Sequence, residues 1–222
     1  MSVTPTEEVV RTPTGTIKAH VWTPPAGASQ LTMVTVHPWA TLGGGEHNCV
    51  GIACHLASTC GVRVLTFDML SSWAIWGMLS AHRKEVVQVQ AVCAWAHERW
   101  GGRVVLFGSS AGAPVAGSAI SSVPQVEGLV CIGYTWGFPA SIAFGRHFAR
   151  TLSSPKPKLF VQGEHDEFTH PATLERFMAR AEGENDVVVV PGIGHFELES
   201  PDYDAHVAQL TMEWLRKKGL AS

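Results

Sequence analysis

No charge of either sign dominates this chain. In 222 residues, 16 Lys and Arg stand against 19 Asp and Glu, a formal net charge of −3. Without a basic excess there is no field to hold nucleic acid or an anionic membrane, so neither is expected as the main partner. Cysteine is scarce and odd in number: Cys49, Cys54, Cys60, Cys93 and Cys131 fall in apolar segments, and no C-x-x-C pair occurs. That argues against a disulfide framework and for buried free thiols in a reducing compartment, hence a cytoplasmic location. No apolar run approaches the ~20 residues of a membrane-spanning helix. The opening MSVTPTEEVVRTPTG carries acids where a secretory leader has its apolar core, so no such signal is expected. Internal repeats, low-complexity tracts and linker-like stretches are also missing. What remains is 45% hydrophobic and 16% charged, and its length suits a single α/β domain over residues 1–222.

The order of apolar patterns is regular. EEVV, a turn at RTPTG and the alternating TIKAHVW read as an antiparallel hairpin. QLTMVTVHP (30–38) is a continuous apolar run, as a strand covered on both faces requires. A helix over NCVGIACHLAST, a strand at VRVLTFDML, an irregular SSWAIWGMLS and a long amphipathic helix over 81–100 follow. Gly101 and Gly102 supply that helix with a stop. Strand RVVLFGSS, a helix from Ser110 to about Ser122 and strand EGLVCIGYTW come next. SIAFGRHFARTL reads as helix, PKPKLFVQG as strand, and PATLERFMARAE as a helix opened by proline. DVVVVPG is the last strand, and a closing helix runs from Asp202 to Lys218. Strands alternating with helices predict right-handed βαβ units and a mostly parallel twisted sheet with helices on both faces. Only about twenty residues separate EGLVCIGYTW from PKLFVQ, near the upper range for connections in such sheets, so no cap domain is expected.

Within VVLFGSSAGAPVAG (104–117), the pattern G-x-S-x-G fits only Gly108, Ser110 and Gly112. Where such a run joins a strand to a helix, the turn is too sharp for flanking side chains, and the central serine is left exposed at the strand end. Ser109 lacks glycines at both −2 and +2. In open α/β sheets ligands bind at the C-terminal strand ends, so a base and an acid belong in later loops. The loop after PKLFVQ is GEHDEF (163–168), and the loop after DVVVV is PGIGHF (191–196). The chain order Ser110, Asp166, His195 is that of a serine–acid–histidine triad. His165 and His170 crowd the acid loop and are expected to make structural hydrogen bonds. Glu164 and Glu167 are expected to be solvated loop charges, and Asp68, which precedes the nucleophile, a turn-capping residue. His37 is expected to shape the first loop. His47, Cys49, Cys54 and His55 offer metal-binding atoms, but position 49 points away from the face shared by 47, 54 and 55, and no metal is expected.

VTVHPWATLGG (34–44), LTFD (65–68), GSSAG (108–112), LFVQGEHDEF (159–168) and PGIGHF (191–196) together resemble the α/β-hydrolase superfamily. The likeness is greatest to small, largely uncapped serine hydrolases with a His-Pro and Gly-Gly first loop. The resemblance runs from the first buried strand to the last helix. It implies Ser110 as nucleophile, His195 as proton carrier and Asp166 as the group that orients the imidazole, with no cofactor. It also implies an oxyanion hole from the N–H groups of Ala111 and Trp39. Three departures stand out: MLSSWAIWG after LTFD, where relatives often show Arg-Gly; Trp39 in the first loop; and Pro114, which withholds a donor about one turn into the helix and is expected to alter the elbow. Trp73, Trp76, Trp136 and Phe138 all follow strands on the side of the site and read either as pocket or as packing.

These features predict a serine esterase acting on a small uncharged ester of modest acyl or aryl size through an acyl-enzyme. A thioesterase or acyltransferase on the same triad is the alternative, and a non-catalytic ligand-binding relative is the third reading.

Overall fold

The computed structural model describes residues 3–27, 30–38, 40, 43–70, 78–136 and 147–221. Eight strands form one sheet in the order β1-β2-β4-β3-β5-β6-β7-β8. They are β1 (Thr6–Thr12), β2 (Gly15–Trp22), β3 (Leu31–Val36), β4 (Arg63–Phe67), β5 (Arg103–Ser109), β6 (Val126–Ile132), β7 (Lys158–Gly163) and β8 (Asn185–Val190). From β4 to β8 every pairing is parallel. The β1–β2 hairpin is antiparallel and joins the sheet through an antiparallel pairing of β2 with β4. β3, β4 and β7 are buried along their whole length, which is why they read as continuous rather than alternating apolar runs.

Seven helices flank the sheet among the described residues: α1 (His47–Cys60), α2 (Met78–Trp100), α3 (Gly112–Ala119), α4 (described over 147–152), α5 (Pro171–Met178), α6 (His195–Leu198) and α7 (Asp204–Lys217). α1 buries Cys49, Ile52, Ala53, Leu56 and Ala57, one stripe at helical spacing. Successive residues of β5 feed opposite faces. Val104 and Leu106 pack with α2, α3 and α5, while Val105 and Phe107 pack with α1 and α7. Two cores on the two faces of one sheet therefore cover its hydrophobic surface.

The structure corrects several element boundaries. α2 begins at Met78, three residues earlier than its amphipathic pattern, and its end at Gly101 is the expected left-handed stop, φ 67. α3 spans Gly112–Ala119, shorter at both ends than expected, because residues 110 and 111 form the turn into it. The closing helix starts at Asp204 after a single 3-10 turn at Pro201–Tyr203. The segment around His195 was expected as loop, but His195 itself opens α6. Among the described residues no helix is long and apolar enough to cross a membrane, no cap stands over the sheet, and the five cysteines are unpaired.

Candidate active site

β5 ends at Ser109 and α3 begins at Gly112, so two residues reverse the chain. Ser110 takes the strain with φ 51, the only positive φ outside glycine among the described residues. A left-handed conformation costs an L-residue about 1–2 kcal/mol, so the surroundings must impose it. They do so through close approach. A Cβ on Gly108 would lie 2.5 Å from Ala113 Cα, and one on Gly112 would lie 2.3 Å from the Val36 carbonyl oxygen. The Ser110 N–H donates to the Ile132 carbonyl at 2.9 Å, tying the turn to β6. Pro114 leaves the turn intact. It occupies the third position of α3, where an N–H has no acceptor within the helix, and the Ser110 carbonyl accepts from Ala113 N–H at 3.1 Å instead.

Strand register brings the other two groups together. Gly163 pairs with Val190, so the loops after β7 and β8 leave side by side. They are stitched by Glu164 N–H to the Val190 carbonyl and His165 N–H to the Ile193 carbonyl, both at 2.9 Å. His195 Nδ1 lies 2.7 Å from Asp166 Oδ2, and its Nε2 lies 2.8 Å from Ser110 Oγ. His195 is 1% exposed and Asp166 4%. Facing a carboxylate, Nδ1 carries the proton, which leaves Nε2 to accept the hydrogen bond from the serine hydroxyl. The second oxygen of Asp166 accepts from the N–H groups of Phe168 (2.9 Å) and Thr169 (2.7 Å), which fixes the carboxylate plane. Gly133, φ 56, passes beneath the imidazole; a Cβ there would sit 2.8 Å from His195 Cε1. Such a chain can draw the serine proton toward the imidazole as the oxygen attacks, with the carboxylate stabilising the imidazolium.

The remaining sequence-predicted residues divide three ways. Ala111 is the N-cap of α3, so its N–H has no partner within the helix and lies one residue beyond the serine. Trp136 lies in the core. It is 5% exposed, with its indole stacked on Phe148 at 4.7 Å and on Phe177 at 4.4 Å, so packing rather than the pocket claims it. Trp39, Trp73, Trp76 and Phe138 lie outside the described residues. His37 donates from Nδ1 to the Pro38 carbonyl (2.6 Å) and accepts at Nε2 from Met69 N–H (3.0 Å), joining the ends of β3 and β4. Burial holds its imidazole below the ordinary value. Asp68 caps a turn, accepting from Glu46 N–H at 2.8 Å. His170 accepts from Ala172 N–H at the start of α5, and His165 is exposed. Among the described residues no group of three acids, histidines or cysteines is placed to hold a metal ion.

Several acids do more than the sequence suggested. Glu164 accepts from Gly192 N–H at 2.8 Å and Glu167 from His195 N–H at 3.1 Å, so both clamp the base loop while staying exposed to solvent. Its own N–H and that of His195 hold the Glu167 carboxyl below the usual carboxylate range. Glu199, at the end of α6, accepts the hydroxyl hydrogen bond of Ser109, joining the segment that carries His195 to the residue before Ser110. Burial pushes the Glu199 carboxyl up, while the Ser109 hydroxyl and His195 pull it down and Asp166 adds to the rise. A carboxyl raised in the folded state favours folding fully below its unfolded pKa, and that contribution disappears as pH rises through the folded value. Glu199→Gln is therefore expected to melt above the wild type at pH 8, with the difference shrinking toward pH 4. Calorimetry across that range checks it, and a difference that grows toward acid would contradict it.

The chain's likenesses agree with this architecture. Solved structures of similar fold include an α/β serine hydrolase without lid from Xanthomonas campestris, at 22% identity over 95% of each chain and a TM-score of 0.75. A serine hydrolase homologue from Coxiella burnetii shares 20% identity over 96% of each chain, TM-score 0.75. The esterase domain of a Rhodothermus marinus protein shares 16% over 96% of this chain and 98% of its own, TM-score 0.76. No curated protein matches the chain. The α/β hydrolase domain family matches residues 79–199, a stretch that holds Ser110, Asp166 and His195 and exceeds half of the sequence. This chain belongs to the α/β hydrolase domain family.

Proposed function

We propose that the protein is a serine hydrolase that cleaves an uncharged carboxylic ester of modest acyl or aryl size through an acyl-enzyme. Ser110 Oγ attacks the ester carbonyl as its proton moves to His195 Nε2. The tetrahedral oxyanion is held by the N–H groups of Ala111 and Trp39, each worth about 2.7–4 kcal/mol in such sites. His195 returns the proton to the departing alcohol, then activates water to release the acid, while Asp166 keeps the imidazole in the working tautomer. The observation that carries this reading is the unbroken Ser110–His195–Asp166 hydrogen-bond chain, ending on a serine held at φ 51. Proteins rarely keep such a backbone conformation without a use for it.

A fluorophosphonate probe followed by nitrophenyl esters of increasing acyl length tests the reading. The probe is expected to label Ser110. With no cap, a methylene beyond the rim stays in water and adds nothing, whereas a buried one is worth about 0.8 kcal/mol. kcat/KM is therefore expected to rise from acetyl to butyryl or hexanoyl and then level off or fall. Trp39→Ala, which keeps the backbone N–H, is expected to flatten that preference. Activity rising steadily to palmitoyl would reveal an acyl tunnel and contradict the open site. Labelling without hydrolysis of any simple ester would move the assignment to thioester cleavage or acyl transfer on the same residues.

A further inference from the structure

Phe196 follows His195 directly and is 62% exposed, the most exposed large apolar side chain among the described residues. Nothing in the fold needs a phenyl group there, since α6 buries only His195 and Leu198. Phe196 is also not isolated. Its ring stands edge-on to the imidazole with centroids 5.3 Å apart, and Phe168, from the acid loop, stands edge-on to both, 4.6 Å from His195 and 5.8 Å from Phe196. Two phenyl groups from the two loops that deliver Asp166 and His195 thus form one aromatic wall beside the base. Single exposed apolar residues need no explanation, but an apolar surface gathered at reacting atoms marks a place that ligand covers.

The chemistry says which part of the ligand. As the tetrahedral intermediate collapses, the acyl carbon–alcohol oxygen bond breaks, and the proton taken from Ser110 passes from His195 Nε2 to that oxygen. The leaving oxygen must then lie within hydrogen-bond reach of Nε2, so its substituent extends along the histidine side of the site. Among the described residues, two carboxylates stand on that side. Glu167 receives the His195 N–H, and Glu197 receives the Gly194 N–H at 3.1 Å. Carboxylates there repel a leaving group that carries phosphates or carboxylates.

We propose that Phe196 and Phe168 form the leaving-group subsite, and that the alcohol released is an uncharged aryl or arylalkyl alcohol. This rests on the serine hydrolase reading above and adds the identity of the departing half. Benzyl acetate and ethyl acetate test it, because they share an acyl group and their alcohols differ little in acidity, so their kcat/KM ratio reports contact with the leaving group. The wild type is expected to prefer the benzyl ester about tenfold or more. Phe196→Ala is expected to bring that ratio within about threefold, with the change in KM. The acetate of 4-(hydroxymethyl)benzoic acid is expected to be a poorer substrate than benzyl acetate. An absent preference in the wild type, or a ratio that Phe196→Ala leaves unchanged, would overturn the subsite. Failure of the probe to label Ser110 would instead refute the hydrolase reading. The subsite is then decided by saturation-transfer NMR of benzyl alcohol, with a signal expected for the wild type and lost in Phe196→Ala. No signal in the wild type overturns it.

Discussion

Ser110→Ala is expected to lower kcat/KM on a simple ester by about 10⁴- to 10⁶-fold and to abolish fluorophosphonate labelling. The loss is large because the proposed acyl-enzyme forms on Oγ; what survives is binding and oxyanion stabilisation acting on water. Stability should hardly move, because alanine keeps the same φ of 51 and removes only one half-buried hydroxyl. Ser110→Gly separates the two roles of this position. It loses activity to the same extent but also removes the left-handed cost of about 1–2 kcal/mol, against which the looser unfolded chain sets about 0.5–1 kcal/mol. The glycine variant should therefore melt at or above the alanine variant. Ser109→Ala should retain labelling, since the Ser109 hydroxyl faces Glu199 rather than His195. Labelling that survives in Ser110→Ala but disappears in Ser109→Ala would reassign the nucleophile.

The contrast between Ser109 and Glu199 shows what a sequence carries and what it leaves out. Gly108, Ser110 and Gly112 could be read because their requirement is local. A turn of two residues between strand and helix forbids a Cβ on either side wherever it occurs, and glycine spacing records it. The alternation of strands and helices was legible for the same reason, down to the stop at Gly101. Glu164 and Glu167 are exposed loop charges as expected, but their bonds to Gly192 and His195 were not legible, because those partners lie more than twenty residues away and are brought close only by the β7–β8 register. Glu199 meets Ser109 across 90 residues of chain, and no spacing rule reaches that far. Trp136 could be read two ways. It follows a strand on the side of the site, yet Phe148 and Phe177 enclose it, and an aromatic residue's neighbours are settled by tertiary packing alone. Phe196 had a signal that spacing arguments overlooked: a large apolar residue beside the base, on a helix too short to bury it.

Lys158→Met is expected to destabilise the protein by about 3–5 kcal/mol and lower the melting temperature by roughly 10 °C. Lys158 opens β7 and is fully buried, an uncommon position for an ammonium. Its three protons are all used, on the carbonyls of Ser154 (2.6 Å), Lys156 (3.0 Å) and Glu182 (2.8 Å). Those carbonyls precede β7 and β8, so one side chain gathers the starts of the two strands whose far ends carry Asp166 and His195. Methionine matches the stem in length but takes the donor from the Ser154 and Lys156 carbonyls and leaves the Glu182 carbonyl only the 3.3 Å bond from Asn185 Nδ2, and each orphaned group costs about 1–3 kcal/mol before local relaxation. Arginine should not rescue the loss, because its planar fork cannot reproduce three converging bonds from one nitrogen. The pH dependence supplies an independent check. Burial pushes the ammonium down to about 8 from an ordinary 10.5. Above pH 8 the unfolded chain therefore holds a proton that the folded one releases, and the contribution of Lys158 to stability rises until the unfolded lysine also titrates. The stability gap between the wild type and Lys158→Met should widen from pH 8 toward pH 10. A variant that melts with the wild type would show that Lys158 does not hold the two strands, and a gap that narrows over that interval would show that the three hydrogen bonds outweigh burial in setting its protonation.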